Sequence, residues 1–452
     1  MVQVTKLFGA SGCVVGTTIL ILLFVVVHRQ QRFAENLRRQ LIAFSKSESR
    51  HDYSRKFQID QLKSVTFRLR YLMEGVSGGM APSDSRLRLP FDEESPLPRI
   101  LFVTSNGAGM GHLTRCLAVA RSGQHKFQAQ FVSLSSSAEI VEKFNFGVLK
   151  FPSQSATAQD TVAWNDSFAT FFDEVCRQNR PQAIVFDGTW IYRGIHESSR
   201  RHGASLIWLR RGLWKTTSDA SQLAAVDTLA DRVLVPTDIG DAADEGPVSG
   251  LGGIRVPAPI LTRRSEFLTR EAALVGLGLD MSRSYVLVQL GAGAVNDISD
   301  AREQAISRIL EISPTTDVVV GLSPLSTEYI DSRPRVHIIR HYPLARYLAA
   351  FEFMVIAAGY NSIHESLRFQ TPAVVVPNLQ TSTDNQSLRA SEYERQGFGL
   401  AATSLDQLSD AIGRFRDPAL RQQFRSALKS ARLPLDAGQG AASEIHDWIA
   451  SR

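Results

Sequence analysis

Cysteine is scarce: three in 452 residues, Cys13, Cys116 and Cys176. They lie far apart and form no Cys-x-x-Cys pair or Cys/His cluster, which excludes a zinc finger and a disulfide framework. The plain reading is free thiols buried in a reducing compartment. Charge of one sign is in no large excess. The formal net charge is +5, and no Lys/Arg block is interleaved with aromatics, so the sequence offers no nucleic-acid partner. Long apolar runs are missing too, with one exception at the amino terminus. What is there has the proportions of a globular chain: 44% hydrophobic, 21% charged, and length for two or three domains with a large core.

The exception is Leu7 to Val27, LFGASGCVVGTTILILLFVVV, which carries no charge. At about 1.5 Å per residue a helix of that length spans the hydrocarbon core. A cleaved signal peptide is the competing reading, but the run ends in Phe24-Val25-Val26-Val27-His28-Arg29 without a small-x-small site, which favours an uncleaved single-pass anchor. Only Lys6 precedes the run. Arg29, Arg32, Arg38, Arg39, Lys46, Arg50, Arg55 and Lys56 follow it. The positive-inside rule then places everything after residue 28 in the cytoplasm. Residues 29–98 divide into a basic segment and a linker. Phe33, Leu37, Leu41 and Phe44 recur at helical spacing among arginines, as in a helix lying on an anionic membrane surface or in a solvated stalk. Gly75 to Pro98 is rich in Gly, Ser and Pro and reads as linker.

Beyond residue 98 short apolar runs alternate with helical patterns. Ile100-Leu101-Phe102-Val103 leads into Ser105-Asn106-Gly107-Ala108-Gly109-Met110-Gly111-His112 and then a helix. Further runs at Phe131 to Leu134, Ala183 to Phe186, Leu206 to Leu209 and Val233 to Val235 follow, with a helix expected from Ser136 to Phe144. A second set begins at Tyr285 to Leu290, followed by Gly291-Ala292-Gly293-Ala294 and a helix from about Ser299 to Ile312. It continues through Asp317 to Val320, Val336 to Ile339 and Phe353 to Ala357. Alternation of this kind predicts parallel sheets covered on both faces, with ligands beyond the carboxyl ends of the strands. The expected division is 99–258 and 259–452, joined through the Gly/Pro-rich stretch Pro247 to Pro259.

The most informative stretch is Phe353 to Ala390. A strand runs into Gly359-Tyr360-Asn361-Ser362, where Ser362 and Glu365 have the spacing of a capping box opening a helix. Pro372 and Pro377 bracket the β-branched run Ala373-Val374-Val375-Val376, and a loop carrying Asp384 and Gln386 follows. A strand feeding such a turn aims backbone N–H groups and a helix dipole at one point, a geometry that favours phosphate. Glu365 can then face a ribose diol, and Asp384 with Gln386 a sugar.

This order resembles the donor-binding signature of nucleotide-sugar glycosyltransferases of the two-Rossmann, GT-B type. It is similar to the peptidoglycan lipid-precursor GlcNAc transferases and to the UDP-glycosyltransferases. The resemblance implies an α/β fold of two Rossmann-like domains, which here follow the N-terminal transmembrane helix expected from the run Leu7 to Val27. It implies donor contacts from Gly291, Ala292, Gly293, Ala294, Gly359, Tyr360, Asn361, Ser362, Glu365, Asp384 and Gln386, with Arg340 and His341 near the base. Gly107, Gly109, Gly111 and His112 fill the pattern of the N-terminal glycine loop. Two positions depart from it: Ala357 stands where the small-molecule branch has a phosphate-contacting His, and Arg389 where both branches usually have Asn.

The chemistry so implied is transfer of a sugar from a UDP-sugar to a hydroxyl, with inversion; the expected anchor suggests a membrane-associated acceptor, lipid-linked or glycolipid. UDP-sugar enters as co-substrate, with no cofactor. No Asp-x-Asp motif offers to hold a metal diphosphate, so no metal site is expected. His112 is the expected general base, with a phosphate-binding or capping role as its alternative. Asp187 either orients His112, serves as base itself, or merely caps a turn. Glu365 reads first as the ribose ligand, with a plain capping-box residue as its alternative, and Asp384 and Gln386 read first as sugar ligands, with a solvated loop as theirs. Arg210 and Arg211 read first as solvated loop arginines, and His364 as a surface or interdomain residue. A non-hydrolysing sugar-nucleotide epimerase and a non-catalytic scaffold share the fold and stay open.

Overall fold

The computed structural model describes residues 87–105, 110–135, 137–157, 159–291, 299–323, 330 and 333–452. The expected membrane anchor, the basic segment, Gly107, Gly109 and Ala292 to Ala294 lie outside the described residues. Among the described residues no helix is long and apolar enough to cross a membrane.

The first lobe is built on β1 (Arg99–Thr104), whose RILFVT sequence is buried from its second residue onward. Such a run can only sit in the middle of a covered sheet. The helix α1 (Gly111–Ser122) follows it. Then come β2 (Gln128–Ser133), β3 (Val148–Lys150), α2 (Thr161–Asn179), β4 (Ala183–Asp187), α3 (Arg193–His202), β5 (Ser205–Leu209), β6 (Arg232–Pro236) and β7 (Ile254–Val256). They form a seven-stranded sheet in the order β3-β2-β1-β4-β5-β6-β7, with every pairing parallel. The order reverses between β1 and β4, so the loops after these two strands open the crevice. Asp187, the last residue of β4, is in register with Thr104, and the Ser105 N–H donates to its carbonyl.

The long helix α2 carries Trp164, Phe168, Phe172 and Val175 at helical spacing, all buried against the sheet. Asp160 caps it by accepting from the Ala163 N–H at 2.9 Å. The segment from 138 to 144 is a 3-10 helix (Ala138–Phe144), a tighter turn than the α-helix expected there. One expectation needs correction. The stretch before Arg99 is not all linker: Leu89 and Phe91 are buried in the first lobe's core, and the Leu89 N–H donates to Asn179 Oδ1 at 2.7 Å. Two large apolar side chains removed from water outweigh the loop-like composition around them.

The second lobe opens after β8 (Ala258–Pro259) with α4 (Arg270–Leu277), β9 (Ser284–Gln289), α5 (Ser299–Ile312), β10 (Thr316–Gly321) and β11 (Val336–Ile339). It continues with β12 (Phe353–Ala357), α6 (Tyr360–Phe369), β13 (Ala373–Val376), α7 (Gln386–Arg395) and β14 (Gly399–Ala401). The six strands lie in the order β11-β10-β9-β12-β13-β14, again all parallel. The chain then turns back. A short strand β15 (Leu435–Asp436) pairs with β8, and the closing helix α8 (Gln439–Ala450) buries Ala441, Ala442 and Ile445 in the first lobe's core beside Leu117. At Gly438, φ is +97° and an added Cβ would meet the backbone of Ala118 at 2.6 Å, so only glycine permits this close return.

Candidate active site between the lobes

The carboxyl ends of both sheets converge. From the first lobe come His112 on α1, Asp187 at the end of β4, Arg210 and Arg211 after β5, and Asp238 after β6. From the second come Gly291 after β9, the turn after β12 and the loop after β13.

His112 Nδ1 lies 2.6 Å from Asp187 Oδ1. Asp187 is buried and in turn accepts two hydrogen bonds from Arg115, Nε to Oδ2 at 2.9 Å and Nη2 to Oδ1 at 2.6 Å. An ionised carboxylate can only accept, so in the 2.6 Å contact Nδ1–H donates to Asp187 and His112 Nε2 is left as the free base. Burial alone raises the Asp187 pKa, but Arg115 and His112 overcome it and hold the carboxyl below its usual range. Burial lowers the His112 pKa, and the nearby Arg115 and Arg211 charges add to that against the pull of Asp187. The imidazole is thus neutral near pH 7. Arg115, three residues beyond His112 on the same helix, is a site residue the sequence reading missed.

Across the cleft, α6 starts at Tyr360, with Gly359 as its cap in an extended conformation and no side-chain cap bond. Ser362 therefore sits inside the first turn, and the expected Ser362–Glu365 capping box does not form. Gly359 occupies the N-cap position and brings no side chain to it, so neither Ser362 nor Glu365 is spent on a cap. A helix of this kind leaves the N–H groups of its first residues without intrahelical partners. A Cβ at Gly359 would enter open space, so the backbone there is open to close approach by a ligand. Gly291 has φ of +106°, a left-handed conformation that explains a glycine at that turn.

The two lobes meet at this point. Asn361 Nδ2 donates to the carbonyl of Gly111, the residue before His112, at 3.3 Å. Tyr360 Oη donates to the Thr237 carbonyl at 2.9 Å, and its ring lies between the guanidinium groups of Arg115 (5.2 Å) and Arg389 (5.9 Å). Thr114 and Tyr342 share a hydrogen bond of 2.8 Å between hydroxyls. Glu365 is half-buried and, among the described residues, makes no hydrogen bond or ion pair; burial pushes its carboxyl up to about 7. His364 is buried, so it is not a surface residue, and its Nδ1 lies 2.6 Å from the Tyr360 carbonyl.

Asp384 and Gln386 do not form a solvated loop. Both are buried, and Gln386 Nε2 donates to Asp384 Oδ2 at 3.1 Å while its Oε1 accepts the Asn378 N–H at 2.9 Å. Arg211 and Arg389 both pair with Asp384 Oδ1. Burial favours the neutral acid at Asp384, but these two cations outweigh it and keep the carboxyl well below its usual range. Arg389, fully buried, also donates to both oxygens of Asp238 (3.1, 3.0 and 2.8 Å) and to the Ala358 carbonyl (2.9 Å). The arginine at the unusual position is thus a tie between the lobes. Arg210 is buried too, donating to the Gly252 carbonyl at 3.1 Å, so neither arginine after β5 is solvated.

Two parallel-sheet lobes with a site at their facing strand ends define the class of fold: the chain has the two-Rossmann, GT-B architecture. Residues 322–435, within the second lobe, match the family model for the glycosyltransferase family 28 C-terminal domain. Among solved structures the chain is similar to MurG of Acinetobacter baumannii (15% identity, TM-score 0.50), with 78% of this chain and 100% of that one covered. It is similar to SnogD from Streptomyces nogalater (13%, TM-score 0.51; 78% and 99% covered). It also resembles UGT2 of Phytolacca americana, solved with UDP-2-fluoro-glucose and pterostilbene (15%, TM-score 0.52; 79% and 99% covered). At these identities the likeness is one of fold. No curated protein matches the chain by sequence.

Proposed function

We propose that the chain transfers a sugar from a UDP-sugar to a hydroxyl of a membrane-associated acceptor, inverting the anomeric centre. The observation that carries this is the single hydrogen bond, Asn361 to Gly111, that separates the first turn of α6 from His112. His112 Nε2 takes the proton of the acceptor hydroxyl. The oxygen attacks the anomeric carbon as its bond to the diphosphate breaks, and the electron pair leaves with UDP. Asp187, fixed by Arg115, holds the imidazole and stabilises its charged form. N–H groups and the dipole of α6 stabilise the leaving diphosphate. Glu365, with no partner of its own, accepts from the ribose hydroxyls. The uncharged run Leu7 to Val27 and the cations after it support a membrane anchor, with the lobes on the cytoplasmic side and a lipid-linked or glycolipid acceptor.

The full chain, incubated with a panel of UDP-sugars and a membrane lipid extract, is expected to release UDP only when both are present. Conversion of the sugar without release of UDP would overturn the reading in favour of an epimerase, and no response to any nucleotide sugar would overturn it outright.

Glu365 gives a pH test. A ribose diol that donates to this carboxyl favours its charged form, so donor binding releases a proton. Affinity is therefore expected to rise with pH through about 7 and then level off. Titration calorimetry with an intact UDP-sugar at pH 6 and pH 8 measures this, since a diphosphate diester does not itself titrate there. Glu365→Gln should flatten the profile and weaken binding by roughly 1–2 kcal/mol. A profile unchanged by the substitution would remove Glu365 from the donor site.

A further inference from the structure

One buried cation of the first lobe has no counter-charge. Arg210 follows β5 directly and is 1% exposed. Its backbone N–H donates to the Leu234 carbonyl, so the sheet fixes where it stands. Its guanidinium lies 5.7 Å from the ring centre of Trp208, and the Trp208 indole N–H donates at 2.9 Å to the carbonyl of Gly188, the residue after Asp187. Two contacts thus separate this guanidinium from the end of β4, where Asp187 orients His112. Arg210 Nη2 donates to the Gly252 carbonyl at 3.1 Å and reaches the Leu251 carbonyl at 3.5 Å. Nε and Nη1 are buried and find no acceptor among the described residues.

Arg115 and Arg389 are buried as well, but each has its carboxylate. Burial lowers their pKa, and Asp187 and Asp238 overcome it and hold both guanidinium groups above their ordinary value. At Arg210 burial acts unopposed, and the Arg255 charge adds to it, so its pKa is held below the ordinary value. The acids of the segment after β6 are committed elsewhere. Asp241 accepts from Arg255 at 2.7 Å and from the Asp238 N–H at 2.8 Å, and Asp244 accepts the N–H groups of Leu213 and Gly246. No carboxylate among the described residues pairs with Arg210. An arginine keeps its charge near pH 7, and a buried charge without a partner is strongly unfavourable. Two carbonyl dipoles offset part of that and neutralise none of it. An anion reaches the guanidinium by displacing carbonyls of a loop whose glycines, Gly250, Gly252 and Gly253, are all exposed.

We propose that Arg210 anchors a phosphate subsite in the first lobe, beside the proposed donor site and separate from it, and that its ligand is a lipid-borne phosphate ester. The choice of phosphate rests on the membrane-acceptor reading above, since phosphate is the anionic group that lipid-linked sugars and phospholipid headgroups share. The full chain in neutral detergent, saturated with UDP to fill the donor site, is titrated by calorimetry with inorganic phosphate, with acetate as the control. Phosphate is expected to bind and acetate to bind far more weakly. Arg210→Met should weaken phosphate binding about tenfold or more, and Arg210→Lys should retain part of it. Without phosphate the Met variant should unfold no lower than the wild type, because an apolar side chain replaces a buried charge. Added phosphate should raise the midpoint of the wild type alone. Farnesyl phosphate and dihexanoyl phosphatidate separate the two sources: the tighter of them marks the ligand as a polyprenyl-linked phosphate or as a headgroup.

Phosphate that binds the wild type no better than acetate would overturn the inference, while UDP binding leaves the donor-site reading standing. Phosphate affinity that survives Arg210→Met would overturn the assignment to Arg210. A Met variant that unfolds below a wild type to which phosphate adds nothing would make the arginine a structural strut and sink the subsite. Should Arg210→Met fail to fold, Arg210→Lys and the wild-type comparison of phosphate with acetate decide. If UDP itself does not bind, the donor-site reading falls, and the dependence of phosphate binding on Arg210 still tests this inference by itself.

Discussion

Replacing His112 with alanine is expected to lower kcat by about 10²–10⁴-fold while the affinity for the nucleotide sugar stays near that of the wild type. The reason is the division of roles across the cleft. His112 stands on the first lobe, its Nδ1 held 2.6 Å from Asp187, and no donor-site residue depends on its side chain. The Gly111 carbonyl that Asn361 grips belongs to the backbone and survives the substitution. Asp187→Asn should cost about as much rate by a different route. It keeps the shape but removes the charge that fixes the Nδ1 tautomer, and it strands Arg115, which loses its bidentate partner. The pH profile separates a base from a mere ligand. Burial holds the His112 pKa below its ordinary value, so kcat/KM should rise with pH through a value under 6.5 and then level. Under His112→Ala that limb should vanish. Single-turnover UDP release, with donor affinity measured separately, checks both halves. An alanine variant that transfers at the wild-type rate would move the base elsewhere.

How far the sequence carried the structure depended on the range of the interaction. Runs such as Ile100 to Val103 and Ala373 to Val376 are strands because short β-branched and apolar stretches fit only a covered parallel sheet, a local property. The turns at Gly291 and Gly359 are legible for the same reason. Helix α2 was legible in principle, with Asp160 as cap and Trp164, Phe168 and Phe172 in one stripe, yet nothing in its neighbourhood called attention to it. Gly359 took the cap that Ser362 was expected to provide, because an extended glycine serves without a side chain. The polar core of the site was illegible. Arg115 meets Asp187 across 72 residues and Arg389 meets Asp238 across 151. No periodicity links such pairs, and a buried arginine looks in sequence like an exposed one. Sequence alone therefore gives no sign of Arg115 or Asp238 and leaves Arg210 and Arg211 reading as solvated, although Arg210 is buried.

Arg389 is where that gap matters most. Substituting it with asparagine, the residue expected from the resembling families, should destabilise the chain by about 3–5 kcal/mol, because Asp238 is left fully buried without a counter-charge. The pair spans the lobes, so the damage should not stop at stability. Asp384 loses one of its two cations, and Ala358, next to the turn that opens α6, loses the donor to its carbonyl. Donor affinity should fall together with the denaturant midpoint. The double variant Arg389→Asn with Asp238→Asn removes both charges and should recover much of the loss. In a double-mutant cycle the coupling should then exceed about 1 kcal/mol, since the two residues are in direct contact. Additive effects would mean the pair is not the tie between lobes that its geometry describes. A measured coupling would explain why this chain tolerates arginine at this position of α7: it fastens the loop that carries Asp384 to Asp238 of the first lobe.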